Sequence, residues 1–254
     1  MKTVFITGVS AGIGHALAEL YLARGFQVCG VSRRVATDLA DHPNMIFARC
    51  DLTRFDAITG VVDSLFARAG AASLEALFIN AGSFGPTPKL ATETSITEFH
   101  EVLNINVSAA KSVLDACLSR SARPQCVAFS ASISAIRPRP GMLSYSVSKA
   151  ALNALVKSYA LENPDIFFAV LGLCIVDTEL TRGAMRADDR FDDLVALRAR
   201  ATSIDGYLAT PDERARDLAA VLDRRVELGL QSGQFKEIRE LTAMLDRRSS
   251  AEKV

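Results

Sequence analysis

The sequence predicts an α/β protein built on one doubly wound parallel sheet. Three observations carry this. Short runs that are apolar on both faces recur along the chain, each followed by a stretch of helical hydrophobic spacing. The first run ends in a glycine turn that opens directly onto a helix. No internal repeat, low-complexity segment or linker divides the 254 residues, so the expectation is a single domain over 1–254.

The elements follow in order. Thr3 to Thr7 form the first buried strand, and Gly8-Val9-Ser10-Ala11-Gly12-Ile13-Gly14 the turn after it. A helix follows, with apolar residues at Ile13, Ala16, Leu17, Leu20 and Tyr21. Strand, glycine turn and helix make a phosphate site, because the glycines admit a ligand to the backbone and the helix start offers free N–H groups. The spacing is G-x-x-x-G-x-G, and glycines at such a turn also serve packing alone. Gly25 ends the helix, and Gln27 to Ser32 read as the second strand. A dinucleotide site often has an acid at that strand's end, bound to a ribose 2′-hydroxyl. Here Ser32 stands there, followed by Arg33 and Arg34. Two guanidiniums suit a 2′-phosphate, so NADP(H) is expected over NAD(H); the alternative is a solvated surface pair.

Met45 to Ala48 make the third strand, leading to Asp51-Leu52. Thr53 is expected to cap a helix over Arg54 to Ala69, closed by Gly70. Leu74 to Ile79 is the fourth strand and ends in Asn80-Ala81-Gly82. Thr94 or Ser95 opens a long helix to about Ser119, with Asn106 beside its apolar stripe. Asn106 is either an amide satisfied by local backbone or a polar group placed in a site. Gln125 to Ser130 and Ile166 to Gly172 are the next strands, and Ser232 to Ile238 end the sheet. A charged helix, Arg239 to Arg248, closes the chain, either packed on a neighbour or solvated.

Composition excludes several classes. The chain is 49% hydrophobic and 23% charged with zero formal net charge, which gives no basic surface for nucleic acid. No apolar run is long enough to span a membrane, and no signal peptide precedes the first strand. Cys29, Cys50, Cys117, Cys126 and Cys174 lie far apart, with no metal-ligand spacing. They read as reduced core thiols of a cytoplasmic protein.

The stretch from Ser130 to Lys149 carries the chemistry. Ser132 precedes Tyr145 by thirteen residues, and Lys149 follows it at i+4 on the same helix face. A free tyrosine titrates near 10. A cation about 5 Å away, at an effective dielectric of about 20, favours the phenolate by roughly 3 kcal/mol, or about 2 pKa units. That would bring Tyr145 toward the range of a general acid or base. Alone, Tyr-x-x-x-Lys is also a common helix-surface pair.

Four anchors now stand in order: Thr7-Gly8-x-x-x-Gly12-Ile13-Gly14, Asn80-Ala81-Gly82, Asn106, and Ser132 with Tyr145-x-x-x-Lys149. Together they closely resemble the short-chain dehydrogenase/reductase family, from Met1 to about Ile238. The resemblance implies a Rossmann fold with a seven-stranded sheet of order 3-2-1-4-5-6-7 and hydride transfer between a nicotinamide dinucleotide and a carbonyl or alcohol. It makes Tyr145 the acid/base, Lys149 the holder of the nicotinamide ribose, Ser132 the donor to the substrate oxygen, and Asn106 the holder of a relay water. It places Gly8, Ser10, Gly12, Ile13 and Gly14 at the pyrophosphate, Ser32, Arg33 and Arg34 at the adenosine ribose, and Asp51 and Leu52 beside the adenine. Asn80, Ala81 and Gly82 go beside the nicotinamide ribose, with Val176 and Thr178 at the carboxamide. It also implies a homodimer or homotetramer pairing through the long helix and the helix after Tyr145.

Two departures stand out. Leu173-Cys174 replaces the family's Pro-Gly, which makes Cys174 either a reactive thiol near the ring or a packed side chain. The ending also differs from the family's Asp-Gly-Gly. Residues 179–205 fall where the family places its substrate-covering segment; the segment is charged and poor in aromatics. Arg137 and Arg139 precede Tyr145 and either meet an anionic substrate or sit in a solvated loop. The expected activity is NADPH-dependent reduction of a small ketone or aldehyde. The alternatives are an alcohol dehydrogenase or 3-oxoacyl reductase of the same fold, and a dinucleotide-binding sensor without chemistry. The intact Ser132, Tyr145 and Lys149 argue against the sensor.

Overall fold

The computed structural model describes residues 1–251 except Ala72 and Ala122. Its strands are β1 (Thr3–Thr7), β2 (Gln27–Ser32), β3 (Met45–Arg49), β4 (Leu74–Ile79), β5 (Pro124–Ala131), β6 (Phe167–Gly172) and β7 (Phe235–Glu237). They form one parallel sheet of order β3-β2-β1-β4-β5-β6-β7. The order reverses between β1 and β4, so a crevice opens there at the carboxyl ends of the strands. The helices are α1 (Gly12–Ala23), α2 (Phe55–Ala69), α3 (Ile96–Leu103), α4 (Ala109–Leu118), α5 (Leu143–Glu162), α6 (Glu179–Met185), α7 (Asp192–Ser203), α8 (Pro211–Asp223) and α9 (Ile238–Ala251).

The strands are apolar on both sides because both faces are covered. One face packs Val4, Ile6, Phe78 and Leu171 under α1, α8 and α9. The other packs Phe5, Leu77, Phe129 and Phe168 under α2, α4 and α5. A third, smaller cluster joins α6 and α7 to Phe84, Met142 and Tyr145. Leu241 and Leu245 of α9 are buried in the first core, so the closing helix packs on its own chain rather than standing in solvent.

Several expected boundaries shift. Thr53 does not cap α2; Arg54 holds the cap position without a side-chain bond. Thr53 instead donates to the Asp51 carboxylate from both its backbone N–H and its hydroxyl, closing a local turn before the helix begins. Gly70 does end α2 in the left-handed region at φ +57°. The expected long helix starts at Ser95, whose hydroxyl accepts from the N–H of Glu98 in a capping box. It is then broken by a π-turn over Asn104–Ser108. Between β2 and β3 the chain crosses in turns rather than a helix.

Candidate active site

The site is assembled at the carboxyl edge of β1, β4, β5 and β6. Gly8 leaves β1 at φ +81°, and Gly12 follows at φ +60°. A β-carbon on Gly14 would lie 2.2 Å from the Gly8 carbonyl oxygen, so no larger residue fits without moving backbone. α1 then starts at Ala11 with no side-chain cap and no acidic residue in its first turn. Its leading N–H groups therefore face the crevice without a side chain competing for them. Ser10 and Ile13 are half-buried in the same turn.

Thr7 couples this turn to the next. Its hydroxyl donates to the Phe78 carbonyl and accepts from the N–H groups of Asn80 (2.9 Å) and Ala81 (3.0 Å). The Asn80 amide accepts from the Ser130 hydroxyl at 3.0 Å, and the Ser130 carbonyl accepts from Lys149 Nζ at 2.8 Å. One chain of bonds thus runs from β1 through the Asn80 turn to the end of β5 and into α5. Thr7 and Ser130 were visible in the sequence, but hydroxyls at strand ends are common and spacing gave them no role.

Tyr145 and Lys149 lie on α5, both buried. Lys149 Nζ is 5.6 Å from the Tyr145 ring centre. The separation matches the helical expectation; the effect on the tyrosine does not. Burial pushes the Tyr145 hydroxyl above its usual range, and a hydrogen bond with Ser132 pulls it partly back. The same burial lowers Lys149 from 10.5 to about 8. Desolvation dominates both shifts because both groups are buried in the same dry wall. Ser132 stands at the start of a 3₁₀ turn, Ile133–Ala135, where its hydroxyl accepts from the Ser134 N–H.

Asn106 sits in the π-turn and is buried. Its oxygen accepts from the Ser83 N–H at 2.8 Å; its nitrogen donates to the Ser83 carbonyl and the Ser148 hydroxyl, each at 2.9 Å. The amide is thus occupied in holding the Asn80–Ser83 turn against α5. A β-carbon on Gly82 would lie 2.9 Å from the Asn106 oxygen and 3.8 Å from Lys149 Nζ, so Gly82 keeps that approach open.

At the far end of the crevice, Ser32 is buried and donates to the Arg34 carbonyl, fixing the turn that presents Arg33 and Arg34 to solvent. Asp51 is held below the usual carboxylate range by the two Thr53 bonds, with Arg33 and Arg54 adding to the effect; Leu52 beside it is buried. His15 bridges Asp38 (2.8 Å) and Glu19 (3.3 Å), tying the loop after β2 to α1.

Behind β6, Cys174 has φ +59°, the one non-glycine residue in the left-handed region among those described. The backbone keeps a glycine's conformation without the glycine. Burial raises the Cys174 thiol, which favours a packed side chain over a reactive one. Val176 is buried and pairs with Ala209 in a single parallel bridge. Thr178 caps α6, and its methyl would lie 3.2 Å from a β-carbon on Gly12. The Gly8–Gly14 turn, the Asn80 turn, the Val176–Thr178 loop and the Ser132-Tyr145-Lys149 group thus border one crevice. Arg33, Arg34 and Asp51 lie at its outer rim.

Comparison with known proteins follows the same lines. The family model for short chain dehydrogenases matches residues 2–189. "Short chain aldehyde dehydrogenase 1" of Euphorbia lathyris is 32% identical over 173 residues, 63% of this chain and 58% of that protein. "11-beta-hydroxysteroid dehydrogenase A" of Sesamum indicum is 31% identical over 194 residues, 72% of this chain and 54% of that protein. The chain thus spans little more than half the length of these two relatives. Among solved structures, an alcohol dehydrogenase of Thermococcus sibiricus complexed with 5-hydroxy-NADP superposes at TM-score 0.74 with 24% identity, covering 93% of this chain and 95% of that one. A 3-ketoacyl-(acyl-carrier-protein) reductase of Brucella melitensis complexed with NADH gives TM-score 0.77 and 22% identity, covering 93% and 96%. No helix among the described residues is long and apolar enough to cross a membrane.

Proposed function

The chain belongs to the short-chain dehydrogenase/reductase family, and from that premise we propose that it reduces a small-molecule ketone or aldehyde, using NADP(H), with Tyr145 as general acid. The observation that carries the proposal is Tyr145 and Lys149 buried together on one face of α5, Lys149 Nζ 5.6 Å from the Tyr145 ring centre, with Ser132 at the end of β5 and an uncapped helix start at α1.

The residues present fit a dinucleotide. The Gly8–Gly14 turn has room only for backbone, and the free N–H groups of α1 suit a pyrophosphate. When bound, the dinucleotide supplies the hydride. As negative charge develops on the substrate oxygen, the Ser132 hydroxyl donates to it and the Tyr145 hydroxyl gives up its proton. A tyrosine pushed up by burial stays protonated at neutral pH, which is the form a reduction needs. Lys149, still mostly charged at pH 7, offsets the phenolate that Tyr145 becomes. Asn106 acts as a positioning residue for this machinery, through Ser83 and Ser148.

Arg33 and Arg34, with no carboxylate at the end of β2, support NADP(H) over NAD(H). The test uses Tyr145→Phe with a panel of carbonyl compounds and both dinucleotides. The expected result is loss of turnover by at least 1,000-fold with dinucleotide binding retained. Wild-type kcat/KM is expected to be higher with NADPH, and the preference to shrink in the Arg33→Ala/Arg34→Ala double variant. Retained turnover in Tyr145→Phe would sink the acid role; a clear NADH preference would sink the cofactor assignment.

A further inference from the structure

Resting on the reduction chemistry proposed above, we infer that the carbonyl substrate is uncharged and apolar, and that Phe84 and Phe191 select it.

Tyr145 meets an aromatic wall. The Phe84 ring centre lies 5.2 Å from that of Tyr145, with the planes 34° apart, and both rings are buried. Met142 lies beside them, and Ala184, Phe191 and Leu194 close the wall from α6 and α7. Whatever reaches the Tyr145 hydroxyl enters between these two sides and takes over their contacts. It exchanges water for an apolar surface, which favours an apolar body on the carbonyl.

Two glycines fix the walls in place. Gly85, at φ +96°, would put a β-carbon 2.6 Å from Val102, so the turn that aims Phe84 inward tolerates no side chain. Gly141, at φ +85°, lies against Phe191, whose ring atoms would be 3.3 Å from a β-carbon there. Phe191 is thus seated in a notch that only glycine provides, at the head of the loop leading into Tyr145.

Three arginines of the 179–205 segment are already paired within the protein. Arg182 pairs with Asp177 at 2.8 Å. Arg190 makes two bonds to Glu93, at 2.9 and 2.8 Å, across 97 residues of sequence, and a third to Asp188. Arg198 is bound to Asp189 and to the carbonyls of Met185 and Ala187. Lys89, which lines the small cavity beside Tyr145, pairs with Glu98. Lys149 donates to the Ser130 carbonyl. A carboxylate or phosphate entering here would lose its water against an apolar wall whose neighbouring cations, Lys89, Arg182, Arg190 and Arg198, are already paired. Arg139, half-buried in the loop before α5, is the side chain that would carry the opposite outcome.

The test is a matched pair, acetophenone and 4-acetylbenzoate, which share the reacting group and differ by one carboxylate. Turnover is followed with the full chain and with NADPH and NADH in parallel. The expected result is a kcat/KM at least 100-fold higher for acetophenone. Phe84→Ala should lower that value at least 10-fold, mainly through KM, with dinucleotide affinity unchanged; Phe84→Leu should restore part of it. Phe191→Ala should relax the discrimination between the two ketones. Equal or better use of 4-acetylbenzoate, abolished by Arg139→Ala, would overturn the inference while leaving the reduction chemistry intact. If neither ketone turns over, saturation-transfer NMR decides. Acetophenone binding that depends on Phe84 would refute the chemistry and keep the inference; binding of neither, or of the carboxylate preferentially, overturns it.

Discussion

Lys149 shows what the site costs the fold. Its ammonium is buried with one carbonyl as its hydrogen-bond partner, and its pKa falls from 10.5 to about 8. Between those values the unfolded chain binds the extra proton, so stability from this group rises as pH climbs from about 8 to 10.5. Below pH 8 the whole penalty is present, roughly 3 kcal/mol. Lys149→Met should remove it, less about 1 kcal/mol for the Ser130 carbonyl left without a donor. Thermal denaturation at pH 7 is therefore expected to show a melting point a few degrees higher, with turnover lost. An unchanged or lower melting point would mean the charge is better compensated than its surroundings indicate. By the same titration, wild-type kcat/KM for reduction should fall as pH rises through about 8, where Lys149 loses its proton. Cys174 makes the complementary case. At φ +59° a β-carbon costs about 1 kcal/mol or more. Cys174→Gly should therefore be more stable than Cys174→Ala by about 1 kcal/mol in denaturant titration, the reverse of the usual order. The residue types of the site were legible because glycine turns and the Tyr-x-x-x-Lys pair have local geometry that spacing reveals. The direction of the Tyr145 shift was not, since it depends on walls contributed by Phe84 and Ser132 from other elements.

At the scale of elements, the strands followed from two-sided apolar runs and their order from the family resemblance, but the break in the long helix followed from neither. The stretch from Ile96 to Cys117 keeps helical spacing on either side of residue 106, and one extra residue of π-turn leaves no mark in a hydrophobic pattern. What pins the bulge is Asn106, whose amide satisfies both backbone groups of Ser83 and the hydroxyl of Ser148. Asn106→Ala would strand the N–H and carbonyl of Ser83, while Ser148 keeps its bond to the Tyr145 carbonyl, and is expected to cost about 2–4 kcal/mol. Because those groups position the Asn80 turn and α5 together, turnover should fall further than dinucleotide affinity. Urea denaturation read beside titration calorimetry checks both. A loss below about 1 kcal/mol would show that water replaces the amide freely. The 179–205 segment gives the opposite lesson. Its composition reads as charged and solvated, yet Arg182, Arg190 and Arg198 are ion-paired while Phe191, Leu194 and Leu197, spaced three apart, are buried.

At the scale of the whole molecule, an apolar stripe on α5 stands uncovered. On α5, Leu143, Val147, Ala150, Ala154 and Leu161 are all exposed, and their spacing of four, three, four and seven residues puts them on one stripe. The opposite face of the same helix carries Tyr145, Lys149, Leu152 and Val156 into the interior. α5 is therefore the element through which any covering of that stripe would bear directly on the site. The family resemblance implies pairing of copies through this helix, and the stripe is what such pairing would bury. We expect light scattering on the purified 27.3 kDa chain to return a multiple of that mass. A charge in the middle of the stripe, Val147→Glu or Ala154→Arg, should shift the population toward monomer, since an unpaired buried charge is costly. Tyr145 and Lys149 lie one face away, so the monomeric variant should bind dinucleotide while losing stability at low protein concentration. A wild-type chain that scatters as a monomer at all concentrations would instead leave the stripe as ordinary exposed surface, and α5 would then hold the catalytic wall by its inner contacts alone.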